Sequence, residues 1–169
     1  MSSASRERIL AAIRRSQDKQ PMTGADITDR LKTRPRGPLT TVADDLEAAL
    51  VDRLNKAACT FAYANSPAQV GREIVQWLQE QGTGLKLVRS AGPLLDSVIW
   101  PESVDVRDPT DGMDHSTTVT EAFCAIAEIG SLVMLSSRES PTALNFLPDN
   151  FICVVRRKRI VRHIEDVWD

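Results

Sequence analysis

The chain has 169 residues, with 21 Lys plus Arg against 23 Asp plus Glu, for a formal net charge of −2. A hydrophobic fraction of 42% with 26% charged residues is ordinary globular composition, and the length suits one domain with a core of its own. This excludes a disordered chain, a collagen-like chain and a disulfide-stapled miniprotein, and no apolar run approaches the roughly 18 residues that a membrane-spanning helix needs. The start, MSSASRERIL, lacks the apolar centre of a signal peptide, so the cytoplasm is the expected compartment. Cys59, Cys124 and Cys153 are widely spaced, odd in number and set in apolar surroundings. With no CxxC pair, no metal site and no iron–sulfur cluster is expected on this chain alone.

The small net charge hides an asymmetry. Residues 1–40 hold nine basic and four acidic residues, 41–155 hold seven and sixteen, and 156–169 hold five and three. An acidic body does not suit a nucleic-acid binder. The basic head has two readings, contact with an acidic surface or a plainly solvated helix and linker.

Ser5 to about Ser16 reads as a short amphipathic helix with Ile9, Leu10 and Ile13 at helical spacing. Three apolar anchors cannot hold it alone, so it must dock on something. Residues 17–40, with Pro21, Gly24, Pro35, Gly37 and Pro38, read as a linker or extended arm. Such an arm can wrap a partner or swap between subunits, and simple flexibility explains it equally well. The domain division is therefore 1–40 for helix and arm, and 41–169 for the body.

Thr41–Ala58 has Val42, Leu46, Ala49, Leu50 and Leu54 at helical spacing, with Thr40 or Thr41 as cap. Cys59–Ala64 reads as a strand, Pro67–Glu80 as a helix stopped by Gly82-Thr83-Gly84, and Leu85–Arg89 as a second strand. Helix–strand–helix–strand with short connections argues for a parallel sheet in an α/β fold. Leu94–Trp100 and Val104–Arg107 are short strand candidates, and Thr120–Ala125 looks like a short helix or helical turn. Ala125–Ile129 and Ser131–Ser136 look like strands joined tightly at Gly130, the second apolar enough to be buried. Pro141–Leu147 can form a short helix, Phe151–Val155 is another buried strand, and Arg156–Arg159 is a basic turn.

Walker, GxGxxG, GxSxG and HExxH signatures are lacking. His115 and His163 are isolated in sequence, and His115 sits in a polar turn. Glu128 stands out because it lies between apolar strand segments, where an ionised carboxylate needs partners. Gly130 can supply a positive φ, and Ser131 adds a hydroxyl and an N–H. Together with Thr120 these residues could line a ligand site, with Glu128 the best catalytic candidate. The plain alternative is a solvent-facing Glu at a hairpin edge.

The run Val119–Val155, with AIAEIGSLVMLSS and NFLPDNFICVV, resembles the core of the LutC/YkgG family, lactate utilisation protein C. The short N-terminal helix, the Pro-rich segment and the helix–strand–helix–strand opening fit the same resemblance. It implies a Rossmann-like three-layer α/β fold of the NagB/RpiA/CoA-transferase type with a mostly parallel sheet. It also implies a non-redox component of bacterial L-lactate oxidation to pyruvate, beside partner proteins that carry the iron–sulfur clusters. No cofactor is expected on this chain, and a small-molecule ligand or self-association is compatible with the family. Two departures stand out. Ile129 replaces the usual Thr after the Glu, and the sequence is expected to lack the family's C-terminal Gly-Pro-Ser-type and His-Gly-Pro-type motifs. Two further readings stay open. In one, Glu128 attacks an acyl-CoA thioester as in CoA transferases of this fold, although Arg138 is the closest basic residue in sequence. In the other, the chain is a pure interaction module that docks through its basic head and Arg156–Arg159.

Overall fold

The computed structural model describes residues 3–17, 22–33, 36–109 and 116–168. His115 and the rest of its polar turn lie outside the described residues. The chain divides into two compact units, Met1–Leu39 and Thr40–Asp169.

The first unit contains helix α1 (Ser3–Gln17) and helix α2 (Gly24–Thr33). The second helix corrects the expectation of an extended arm. Thr23 caps it: its Oγ1 accepts the Asp26 N–H at 3.2 Å, while Asp26 Oδ2 accepts the Thr23 N–H at 2.9 Å. This is a reciprocal capping box, and it stops orphan donors at the helix start from costing free energy. The Thr23 hydroxyl also holds the Asp26 carboxyl below its ordinary range.

The second unit is a mixed α/β body. Helix α3 (Leu46–Lys56) starts later than its apolar spacing suggests, because Asp45 is the cap and accepts the Ala48 N–H at 3.0 Å. Residues 40–45 are instead held extended by tertiary bonds described below. Cys59–Ala64 is exposed and pairs with no strand among the described residues, which corrects the strand expectation. Phe61 and Tyr63 meet edge to face at 5.8 Å. Helix α4 (Pro67–Glu80) matches its predicted bounds, with Ser66 as cap and Pro67 in the first turn.

Strands β1 (Lys86–Arg89), β2 (Asp105–Arg107), β3 (Thr117–Glu121) and β6 (Asn150–Val154) form one parallel sheet in the order β2-β1-β3-β6. Ile74 and Leu78 of α4 pack on Leu87, Val119, Leu95 and Val98 to make the core. A 3₁₀ turn, Leu95–Ser97, stands where a strand was expected, and the predicted helix near Thr120 is the end of β3. Residues 117–120 are fully buried between β1 and β6, and pairing on both sides overrides any local helical preference. A second sheet has the order β5-β4-β7, from β4 (Cys124–Ile126), β5 (Ser131–Val133) and β7 (Ile160–Val161). Here β4 pairs antiparallel with β5 and parallel with β7. Neither β5 nor β6 is the buried strand expected of it. Each lies at a sheet edge and is half-exposed.

The β4–β5 turn is fixed by Gly130. Its φ is +75°, and a Cβ there would lie 2.5 Å from Arg53 Cβ of α3. Gly130→Ala should therefore lower the unfolding free energy by about 1–3 kcal/mol through left-handed strain, with the clash adding to it. Urea denaturation reads this directly, and an unchanged midpoint would refute the close packing of α3 on the turn.

Candidate functional site

Glu128 is positioned by the end of β4. Its backbone N–H donates to Arg162 O at 3.0 Å, and Gly130 N–H donates to Ile126 O at 2.8 Å. The side chain, 18% exposed, turns toward the strap formed by residues 40–45. The Thr40 hydroxyl donates to Glu128 Oε1 in a short hydrogen bond. His163 Nδ1 lies 3.3 Å from Oε2, with the imidazole 8% exposed. The Thr40 bond, aided by His163 and the Ile164 N–H, holds the Glu128 carboxyl below its ordinary range against the opposing effect of desolvation. The group is thus an ionised carboxylate with its partners in place, and not a bare hairpin glutamate.

Arg162 fixes the strap from the same side. Its Nη1 donates to Val42 O at 2.8 Å and to Ala43 O at 3.0 Å, while Nη2 lies 3.4 Å from Asp44 Oδ1. Strap, α3 and the turn after β4 enclose an open groove of about 730 Å³, whose polar lining includes Thr40, Thr41, Asp52, Arg53 and Glu128. Asp52 is paired with Lys56 at 2.6 Å. Ile129, half exposed, puts an apolar side chain on the groove where the resemblance would put a hydroxyl. Such a groove can hold a small polar molecule against a fixed carboxylate. The N–H groups of Glu128 and Gly130 are already spent on carbonyls, so neither can hold an oxyanion beside that carboxylate.

The four predicted site residues do not converge. Glu128 lines the groove, and Gly130 shapes its turn. Ser131 is exposed on β5, and Thr120 is buried in β3 of the other sheet. Thr120 Oγ1 has no hydrogen-bond partner of ordinary geometry among the described residues. It lies across from Cys153, whose thiol burial pushes up to about 11. Thr40, His163 and Arg162 were missed as site residues. They come from opposite ends of the body, and no spacing in the sequence connects them. No group of three or more His, Cys, Asp and Glu side chains suited to a metal ion occurs among the described residues. No helix is long and apolar enough to cross a membrane among those residues.

Because its carboxyl is held below the ordinary value of 4.5, Glu128 contributes stability that is present above that pH and lost as pH falls through the lowered value. Glu128→Gln should flatten the acid limb of the stability curve, with the largest difference from wild type at neutral pH and a shrinking one in acid. Urea midpoints measured from neutral to strongly acidic pH test this. A difference independent of pH would refute the ionised pairing.

The family described as LUD domain, associated with lactate utilisation, matches residues 110–169. No curated protein matches the chain. Among solved structures, a DUF162 family protein from Deinococcus radiodurans is similar at 24% identity and a TM-score of 0.60, over 77% of this chain and 79% of that one. The matched segment 110–169 contains Glu128, Arg162 and His163. In that segment the chain is similar to the LUD domain, and its α/β fold is similar to that of a DUF162 protein.

Proposed function

We propose that the chain is a non-redox component of an L-lactate utilisation system of the LutC/YkgG kind, acting beside iron–sulfur partner proteins in the oxidation of L-lactate to pyruvate. The observation that carries this reading is the LUD-domain match over residues 110–169, the segment that supplies β3 to β7 and the Glu128–His163 pair. In this reading electrons pass through the partners. The chain contributes a rigid α/β body with a fixed carboxylate groove for a small ligand or a partner's polar group, and it works in the cytoplasm. The acyl-transfer alternative draws on the ionised state of Glu128 in an open groove. It ranks second because the N–H groups of Glu128 and Gly130 are committed to carbonyls.

Deleting the gene in its own host should abolish or strongly slow growth on L-lactate but not on pyruvate. Tagged protein should co-purify with proteins that contain iron and acid-labile sulfide. Normal growth on L-lactate together with an iron-free pull-down would overturn the proposal. A hydroxylamine-sensitive adduct on Glu128 after exposure to acyl-CoA would move the assignment to the transferase.

A further inference from the structure

The carboxyl ends of the parallel strands carry a second concavity. Strand β1 lies between β2 and β3, so the chain leaves it toward one side of the sheet and returns on the other. In open α/β sheets ligands collect in the crevice outside such a switch point. Here the loop after β1, with Pro93, meets the residues after β3, with Phe123, around a crevice of about 350 Å³. Arg156, Lys158 and Arg159 come in from beyond β6.

A register shift brings those cations there. Thr117 of β3 pairs with Asn150 of β6, an offset of 33, whereas Ala125 of β4 pairs with Ile160 of β7, an offset of 35. Two extra residues thus enter between β6 and β7 and coil into the 3₁₀ turn Arg157–Arg159. Glu121, 14% exposed, closes the base of the crevice. Its Oε1 lies 3.3 Å from Arg156 Nε, and its Oε2 accepts the Leu94 N–H at 2.8 Å. That leaves the Nη edge of Arg156 without a partner among the described residues. Lys158 has no ion pair among them either, and the Arg159 guanidinium lies 5.2 Å from the Phe123 ring centroid. Arg157 is engaged elsewhere, 2.6 Å from Glu47.

Three cations against one carboxylate leave two net positive charges in the lining, beside an apolar wall that includes Phe123 and Leu135. We propose that this crevice binds a phosphate monoester with an apolar body. Its dianionic head rests on Arg156, Lys158 and Arg159, and its organic group lies against Phe123 and Leu135. Cationic side chains with unspent donors recognise a phosphate by charge-assisted hydrogen bonds. The net charge of the crevice matches a dianion better than a monocarboxylate. The proposal stands apart from the lactate reading and from the Glu128 groove.

The test is calorimetric titration of the full chain with phenyl phosphate, inorganic phosphate and benzoate at low salt. Phenyl phosphate should bind saturably, more tightly than inorganic phosphate and about tenfold more tightly than benzoate. The exposed double variant Lys158→Gln with Arg159→Gln should weaken it about tenfold at an unchanged melting temperature. Arg157→Gln, which removes an equal kind of charge from the same run, should leave it intact. Absence of saturable binding, equal binding of benzoate, or equal losses in Arg157→Gln and the double variant would each overturn the assignment.

Discussion

The parallel pairing of residues 117–126 with 150–161 is the constraint on which the body rests. Two stretches of chain run side by side through both sheets, and the ladder continues past the strands. Ala122 N–H donates to Val154 O, Ala127 N–H to Val161 O, and Glu128 N–H to Arg162 O. Because the backbone groups of buried segments must find partners, this ladder cannot slip without exposing β3. The two-residue mismatch therefore has to be absorbed in one place, between β6 and β7. The upper end of the ladder delivers Glu128 to one groove with His163 against its carboxylate, and the bulge in the middle delivers three cations to another.

The two concavities have opposite electrostatic character. In the groove beside α3, the Glu128 carboxylate is engaged by a hydroxyl and an imidazole, the Asp52 carboxylate by Lys56, and an arginine holds the strap by its carbonyls. Both carboxylates there are spent on pairing within the body. At the switch point, the one carboxylate is also spent, on an arginine and an N–H, but cationic donors remain. The first place has its carboxylates paired, and the second keeps unused positive charge. An acidic body that sets aside one basic rim presents a local field quite unlike its overall charge.

Local signals were legible where the local physics was strong. Ser66 followed by Pro67 and an amphipathic run defines α4 to the residue. The Thr23-Gly24-Ala25-Asp26 capping box was equally readable, yet the surrounding prolines and glycines masked it. Thr40 and Thr41 look like caps but serve in the strap, because Glu128 and Arg162 compete for that segment from 88 and 120 positions away. Cys59–Ala64 has strand composition without a neighbouring strand, and β3 has helix-compatible residues at its end but strands on both sides. Of the proposed site, Glu128 was legible from the oddity of a carboxylate among apolar strand residues. Its partners Thr40 and His163 were not, because each lies far along the chain and only the folded ladder brings them within reach.

The strap also orders events in time. Thr40 is anchored by a residue 88 positions later, and Val42 and Ala43 by one about 120 positions later. As the polypeptide leaves the ribosome from its N-terminus, α3 and α4 have local partners early, but the strap finds its first partner at Glu128 and its arginine anchor only after β7 has emerged. The strap beside Glu128 is thus fastened only after β7 and Arg162 have been made, and a nascent body without β7 holds a nearly built sheet and an open, unfastened edge.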